Sequence, residues 1–199
     1  MTMSQLRVII SGGGTGGHIF PAIAIAKALQ RKHPNTEILF VGAKGRMEME
    51  KVPAAGFKIV GLNIAGFQRG SMLKNIFLPF KLAASLLQAI SVVRTFKPDV
   101  AIGVGGYASG PLLRVASWLG VPTALQEQNS FAGVTNKILA RNAQVVCTAY
   151  EGMEKVFTGA KVVLTGNPVR NEIANGSVQR SDALAFFGLD GSKKTILVI

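Results

Sequence analysis

Cysteine and histidine are both scarce in this chain. Cys147 is the one cysteine among 199 residues, and a single thiol cannot form a disulfide within the chain. The two histidines, His18 and His33, stand apart, and with one cysteine they make no zinc-binding pattern. A disulfide-stabilised secreted domain and a metal site are therefore not expected, and the composition fits a reducing, cytoplasmic compartment.

Acidic residues and long apolar runs are also limited. The 10 Asp and Glu face 22 Lys and Arg, which gives a formal net charge of +12. The most apolar stretch, residues 76–93, is interrupted by Pro79, Lys81 and Ser85, whereas a membrane-spanning helix needs about 20 mostly apolar residues. Aromatic residues make up 7% and no nucleic-acid-binding motif occurs. The basic charge therefore favours a phosphate-bearing substrate or an anionic membrane surface over nucleic acid.

What the sequence does contain is a regular alternation of short apolar runs with longer helical patterns. The apolar runs predict strands at residues 6–11, 37–42, 57–62, 100–104, 123–126, 145–148 and 161–165. Helical patterns fall at residues 18–31, 46–55, 72–96, 111–119, 134–140 and 181–187. Several strands are apolar on both faces, as strands buried between two helix layers are. This predicts an α/β fold, a Rossmann-like parallel sheet with helices on both faces.

The last residues predict a change of domain. Residues 188–192 have the composition of a linker, and residues 194–199 (KTILVI) predict a new strand. A parallel strand needs a crossover and a neighbour. We therefore expect residues 1–188 to form one domain, and residues 189–199 to be a linker and the first strand of a truncated second domain. The alternative is a final edge strand of the same sheet.

A glycine loop follows the first predicted strand and leads into the first helix. Residues 12–18 read GGGTGGH. Such a loop lets backbone N–H groups approach a phosphate, and the helix start adds a partial positive charge. The glycine spacing also fits a dinucleotide site, but the second strand ends without the acidic residue that would bind a ribose hydroxyl. Lys44 and Arg46 follow that strand and would suit a 2′-phosphate, so a dinucleotide with such a phosphate is an alternative ligand. The alternative is a tight turn that binds nothing.

A second glycine loop, GVGGYASGP at residues 103–111, follows the fourth predicted strand. Ligands of open α/β sheets bind at the carboxyl ends of the strands, so both loops are expected to face one crevice. Two phosphate-binding loops in a basic domain predict a diphosphate ligand. The alternative is that one loop binds the ligand and the other is structural.

Polar residues at two further positions are candidates for chemistry. His18 stands at the start of the first helix, where the helix dipole favours a neutral imidazole that accepts a proton. Gln126, Glu127, Gln128 and Asn129 follow the fifth predicted strand. Glu127 is a candidate base, and Asn129 is a candidate partner for a sugar hydroxyl or an amide. The alternatives are a structural histidine and a solvated loop in which Asn129 caps the next helix.

One apolar segment carries cations beside its apolar tip. The tip residues are Met72, Leu73, Ile76, Phe77 and Phe80. They are ringed by Arg69, Lys74 and Lys81, and Trp118 on a nearby helix is expected to join them. Each Lys or Arg near an anionic leaflet adds about 1 kcal/mol of attraction. The segment predicts a membrane-touching patch, and the alternative is burial against neighbouring helices.

The motifs together resemble a known family. GGGTGGHIFPA at residues 12–22, GVGGYASGP at 103–111, QEQN at 126–129 and GNPVR at 166–170 occur in this order over essentially the whole chain. This set resembles the MurG family of bacterial N-acetylglucosaminyltransferases. The resemblance implies the N-terminal, acceptor-side half of a GT-B fold, in which two Rossmann-like domains face each other across a cleft. It implies inverting transfer of GlcNAc from UDP-GlcNAc to the MurNAc 4-hydroxyl of lipid I, giving lipid II for peptidoglycan.

The resemblance also implies a place and a role for individual residues. It makes His18 the candidate general base, with Glu127 as the alternative. The residues implied to touch UDP-GlcNAc are Thr15, Gly16, Gly17, Asn129 and Arg170. The residues implied to hold the acceptor pyrophosphate are Gly13, Gly14, Gly105, Gly106 and Tyr107. No cofactor and no metal is required, the protein is expected to be peripheral to the anionic cytoplasmic face of the inner membrane, and the chain alone is expected to show no turnover.

The residues by themselves leave two other functions open. An NADP-dependent oxidoreductase domain is supported by the first glycine loop together with Lys44 and Arg46. A non-catalytic membrane-surface module is supported by the charge of +12 and the apolar stretch at residues 76–93.

Overall fold

The computed structural model describes residues 5–64, 78–170, 176 and 178–196. By its internal contacts the chain divides into two compact units, Met1–Pro168 and Val169–Ile199. The described strands all belong to the first unit. The domain boundary predicted after residue 188 stays a prediction.

Strands and helices alternate along the first unit, as the sequence predicts. The strands are β1 (Arg7–Ser11), β2 (Glu37–Ala43), β3 (Lys58–Leu62), β4 (Val100–Gly103), β5 (Thr123–Glu127), β6 (Val145–Thr148) and β7 (Val162–Leu164). The described helices are α1 (Gly16–Lys32), α2 (Glu48–Ala54), α3 (Leu78–Phe96), α4 (Ser109–Trp118) and α5 (Val134–Ala140), with a 3₁₀ turn at Met153–Lys155. Helix α6 (Arg180–Phe187) belongs to the second unit.

The bounds differ from the predicted ones mainly at the ends. Residues 72–77, predicted to begin the long helix, lie outside the described residues. Residues 194–196 form no strand, and the rest of the predicted strand at 194–199 also lies outside them. The 3₁₀ turn had no signal in the hydrophobic pattern, because three residues are too few to show a period.

The sheet has the order β3-β2-β1-β4-β5-β6-β7, and every pair of neighbours is parallel. The strand order reverses at β1, which pairs with β2 on one side and with β4 on the other. Ser11 is in register with Gly103, so these two strands end side by side. The loops that follow them therefore leave the sheet together, at the switch point where ligands of this architecture bind.

Two apolar layers cover the two faces of the sheet. On β1, Ile9 packs into a cluster with residues of α3, α4 and α5, whereas Val8 and Ile10 pack with residues of α1 and α2. Successive strand side chains point to opposite faces, so this division follows from the pleat. The predicted fold class, a Rossmann-like parallel sheet with helices on both faces, is confirmed. Among the described helices, none has the length and apolar character required to cross a membrane.

Candidate active site

The two glycine loops contact each other beyond the carboxyl ends of β1 and β4. The Gly13 N–H donates to the Gly105 carbonyl at 3.3 Å. Gly106 has φ +90°, and a Cβ placed there would overlap the Gly13 carbonyl oxygen. A side chain at Gly106 would therefore push the loops apart, so glycine at this position is required by both backbone conformation and space.

His18 lies between the two loops in the first turn of α1. Its Nδ1 is 3.2 Å from the Gly13 carbonyl oxygen and 3.3 Å from Thr15 Oγ1. A carbonyl oxygen only accepts, so for a neutral ring the first contact requires the proton on Nδ1. On the other side of the ring, a Cβ at Gly105 would come within 2.7 Å of Nε2. The absence of a side chain at Gly105 therefore leaves room for the imidazole ring, and in the tautomer with the proton on Nδ1 the acceptor nitrogen is Nε2.

A buried carboxylate on α2 accepts a hydrogen bond from the first glycine loop. Glu48 begins α2 and is fully buried. Its Oε2 accepts a hydrogen bond from the Gly14 N–H and its Oε1 accepts one from the Ala43 N–H, each at 2.9 Å. The N–H groups of Gly13 and Gly14 are thus both used inside the protein. The predicted binding of pyrophosphate by these two residues stays a prediction. A pyrophosphate at this loop would have to bind groups other than these two N–H groups.

Glu127 is the centre of a second buried network, at the end of β5. The side chain is 2% exposed. Its Oε1 accepts from the backbone N–H and the side-chain amide of Asn129, each at 3.1 Å. Its Oε2 accepts from the Gly133 N–H at 3.2 Å and from Asn136 Nδ2 at 3.0 Å. Four donors therefore fix the carboxylate, and these hydrogen bonds also fix the loop from Asn129 to the start of α5.

Three buried amide atoms near this loop have no hydrogen-bond partner among the described residues. They are Gln126 Nε2, Gln128 Oε1 and Asn136 Oδ1. Asn136 also lines the cavity at the glycine loops. A buried carbonyl oxygen without a donor costs free energy, so this atom fits a ligand hydroxyl or N–H.

Two cavities meet at His18. The first has a volume of about 490 Å³, and its lining includes both glycine loops. Its full lining is Gly13, Gly14, Thr15, His18, Arg46, Gly105, Gly106, Tyr107, Glu127, Asn129, Phe131, Gly133, Thr135 and Asn136. The second has a volume of about 470 Å³ and is lined by Thr15, Gly17, His18, Pro21, Gln128, Asn129, Tyr150 and Asn167. Thr15, His18 and Asn129 line both, so these residues lie between the two cavities.

Most of the residues predicted for the site come together here. Gly16 starts α1 beside them but is not among the residues that line either cavity. Arg170 belongs to the second unit, and its predicted role stays a prediction. Phe131, Asn136 and Tyr150 line these cavities and Glu48 bonds the first glycine loop, and none of the four was predicted from the sequence. Their types and spacing carried no signal, because loops from separate strands bring them together.

The predicted membrane patch lies mostly outside the described residues. Arg69, Met72, Leu73, Lys74, Ile76 and Phe77 all fall there. Phe80 is 74% exposed, Lys81 is exposed and Trp118 is 62% exposed. The described part of the patch is thus open to solvent, and its role stays a prediction. Among the described residues, no group of three or more His, Cys, Asp and Glu side chains is placed to hold a metal ion.

The geometry weighs against a dinucleotide with a free ribose 2′-hydroxyl, but not against the 2′-phosphate ligand that rests on Lys44 and Arg46, since Arg46 lines the first cavity. Binding of the free hydroxyl requires an acidic side chain near the end of β2. Glu48 is near the end of β2, but its carboxylate is fully buried and turned to the backbone of Gly14 and Ala43. It is therefore not available to a nucleotide in the crevice.

Comparison with known proteins agrees with this architecture. Residues 8–148 match the family model described as the glycosyltransferase family 28 N-terminal domain. A curated relative from Phocaeicola vulgatus is 59% identical over 98% of this chain and 52% of its own length. One from Parabacteroides distasonis is 58% identical over 99% of this chain and 54% of its own length. Both are named UDP-N-acetylglucosamine–N-acetylmuramyl-(pentapeptide) pyrophosphoryl-undecaprenol N-acetylglucosamine transferase. The chain thus spans about half the length of these relatives.

Solved structures show the same fold. The crystal structure of Acinetobacter baumannii MurG matches with a TM-score of 0.68 and 33% identity, over 80% of this chain and 45% of that one. The UDP-GlcNAc 2-epimerase of Methanocaldococcus jannaschii, solved with UDP-GlcNAc and UDP, has a TM-score of 0.59 at 17% identity. It covers 81% of this chain and 46% of the epimerase, and it shows the fold alone. On its match to the family model over most of its length, this chain belongs to glycosyltransferase family 28, whose N-terminal domain it carries.

Proposed function

We propose that this chain is the acceptor-side half of an enzyme that transfers GlcNAc from UDP-GlcNAc to the MurNAc 4-hydroxyl of lipid I, giving lipid II. The observation that carries the proposal is the position of His18, which lines both cavities at the glycine loops. A group-transfer enzyme needs its base at the place where donor and acceptor meet. The names of the relatives supply the two substrates.

The acceptor occupies the first cavity. Among the described residues that line it, Arg46 is the one Lys or Arg, and a guanidinium is well suited to a diphosphate. Tyr107 and the backbone of Gly105 and Gly106 face the same space. The unpartnered Oδ1 of Asn136 is an acceptor for a hydroxyl or acetamido N–H of the acceptor sugar. The predicted pyrophosphate site is thereby extended to Arg46.

The donor sugar lies toward the second cavity. Gly17 and Asn129 line it, in line with the UDP-GlcNAc contacts implied for them by the resemblance. Gly16 and Gly17 are in the first turn of α1, where backbone N–H groups have no helical acceptor. These N–H groups and the positive end of the helix favour the negative charge that develops on the departing diphosphate.

His18 is the base in this reaction. Its Nδ1–H donates to the Gly13 carbonyl, so the lone pair on Nε2 takes the proton of the 4-hydroxyl. The hydroxyl oxygen forms a bond to the anomeric carbon as the bond from that carbon to the UDP oxygen breaks. UDP leaves with the electron pair, and attack from the opposite face inverts the configuration.

Glu127 is a positioning residue in this mechanism rather than the base. Its four hydrogen bonds occupy both carboxylate oxygens, and two of the donors belong to Asn129, which lines both cavities. To accept a substrate proton it would first have to release one of these donors. Its charge instead holds Asn129 and the start of α5 in place.

A binding titration tests the acceptor assignment on this chain. We expect saturable binding of a soluble short-chain lipid I analogue, about tenfold weaker in Arg46→Met because one charge-assisted contact is lost. Lys44→Met removes the same charge from an exposed residue that does not line the cavity, and it should leave the affinity unchanged. Equal affinity in both variants would remove Arg46 from the site. Tight NADP binding without binding of the analogue would reject the transferase assignment.

The base assignment is tested in a full-length protein that carries this domain. His18→Gln should lower kcat by about 10² to 10⁴, the usual contribution of general base catalysis, with little change in the KM for lipid I. Unchanged kcat would exclude His18 as the base.

Attachment to an anionic cytoplasmic membrane surface is the last part of the proposal. The exposed Phe80 and Trp118 and the net charge of +12 support it. We expect the chain to co-sediment with phosphatidylglycerol-rich vesicles and Phe80→Ser to weaken this binding. Equal sedimentation with neutral vesicles would contradict an electrostatic contribution.

A further inference from the structure

We propose that Glu48 is a positioning residue for His18, and that it acts through the single peptide unit joining Gly13 to Gly14. This inference rests on the proposed role of His18 as the base. It assigns a task to a buried carboxylate that neither binds substrate nor reacts in that mechanism.

The contacts form a continuous line from α2 to the imidazole. Glu48 Oε2 accepts from the Gly14 N–H at 2.9 Å. The carbonyl of the same peptide unit belongs to Gly13, and its oxygen is 3.2 Å from His18 Nδ1. A trans peptide is planar, with its N–H and C=O directed to opposite sides. When Glu48 fixes the N–H, it also fixes the direction of the carbonyl that faces His18.

The surroundings of Glu48 are built to hold this carboxylate in one place. A Cβ at Gly13 or at Gly42 would overlap the Glu48 side chain, so both positions leave it the necessary space. Its second oxygen accepts from the Ala43 N–H at 2.9 Å, which ties the side chain to the end of β2. The side chain is fully buried, so it acts on the crevice only through the loop.

The consequence is a choice of tautomer. With the Gly13 carbonyl pointing at Nδ1, the neutral imidazole carries its proton on Nδ1 and leaves Nε2 free to accept. Hydrogen bonds in such a line polarise one another, which strengthens the preference. If the peptide unit turned over, an N–H would face Nδ1 and the proton would move to Nε2, where it blocks the base.

The experiment is the nitrogen-15 spectrum of the histidine rings in this chain, recorded for Glu48→Gln and for the unaltered protein at a pH where both rings are neutral. A glutamine keeps the shape but offers one oxygen to the two N–H donors. We expect the unaltered protein to hold the Nδ1–H form at His18, and Glu48→Gln to lower the ratio of the Nδ1–H form to the Nε2–H form about five- to tenfold, as expected for loss of one hydrogen bond.

Two controls lie within the same chain. Glu50→Gln removes a carboxylate from the same helix, but Glu50 is exposed and pairs with Lys51, so His18 should not respond. His33, at the end of α1, gives the reference signal of a ring that these contacts do not touch. The Gly14 amide should also exchange slowly with solvent in the unaltered protein and quickly in Glu48→Gln.

The outcomes decide the inference without a substrate. An Nε2–H form of His18 in the unaltered protein would overturn it, as would a His18 signal that does not change in folded Glu48→Gln. If that variant does not fold, the tautomer and the Gly14 exchange rate of the unaltered protein decide. A confirmed tautomer with unchanged kcat in His18→Gln would instead refute the proposed function and leave the contact of Glu48 established.

Discussion

The contact between the two glycine loops leads to a specific prediction for Gly106→Ala. Gly106 has φ +90°, and its new Cβ would overlap the Gly13 carbonyl oxygen and lie 3.0 Å from the Gly13 nitrogen. An L-residue in a left-handed conformation costs about 1–2 kcal/mol. The overlap is with backbone on both atoms, so relief requires the loops to separate and adds strain of about 1–3 kcal/mol, as overpacking does.

The total expected loss in the free energy of unfolding is about 3 kcal/mol. For a protein of this length, 1 kcal/mol shifts Tm by about 2–4 °C, so Gly106→Ala should lower Tm by about 6–12 °C. Thermal unfolding followed by circular dichroism measures this. Since the loops also shape the first cavity, affinity for the lipid I analogue should fall as well.

Gly120→Ala is the matched control for this substitution. Gly120 also has a positive φ, of +77°, but a Cβ there meets no atom within 4 Å. It is therefore expected to cost only the backbone strain, about 1–2 kcal/mol, and to leave ligand binding unchanged. If the two variants lose equal stability and bind equally, the close contact between the loops is not what requires glycine at position 106.

Three further predictions concern the core, the half-buried thiol and a buried carboxylate. Phe40→Ala should lower the free energy of unfolding by about 3–5 kcal/mol in urea denaturation, since the ring is 1% exposed, whereas Phe186→Ala at an 83% exposed site should change it by less than about 0.5 kcal/mol. Burial raises the pKa of the Cys147 thiol, so its labelling by a thiol reagent at pH 8 should be slower than that of free cysteine. The labelling rate should keep increasing above pH 9, and a rate equal to that of free cysteine would contradict this prediction. Glu127→Gln should cost about 1–3 kcal/mol because one amide donor then faces other donors, and Glu154→Gln at an exposed site serves as its control.

The strands and helices were predictable because their signals are local. Runs such as residues 6–11 and 145–148 are apolar and rich in β-branched residues, and they form β1 and β6 within one residue of the predicted bounds. The two glycine loops were equally visible, since several glycines after an apolar run mark a turn whatever the rest of the chain does. The alternation of strands and helices predicts a parallel sheet, and in a parallel sheet both loops lie at the carboxyl ends of the strands.

The tasks of individual side chains were not predictable in the same way. Glu127 stands out in the sequence as a candidate base, but the sequence does not show that Asn136, nine residues later, turns back to donate to it. Glu48 gave no signal at all, because an acidic residue at a helix start is ordinary. Its partner Gly14 is 34 residues away and reaches it only through the pairing of β1 with β2.

Composition, hydrophobic period and glycine spacing are local or summed properties, and they were enough to predict the type of fold, the basic charge of the chain and the two glycine loops at the carboxyl end of the sheet. Which polar groups are already bonded within the protein could be read from the three-dimensional arrangement and not from these properties. The N–H groups of Gly13 and Gly14 are hydrogen-bonded within the protein. Glu48 and Glu127 are buried and accept hydrogen bonds from neighbouring groups, and His18 lies between two cavities. Each of these facts depends on distances between loops that belong to different strands, and strand order and register set those distances.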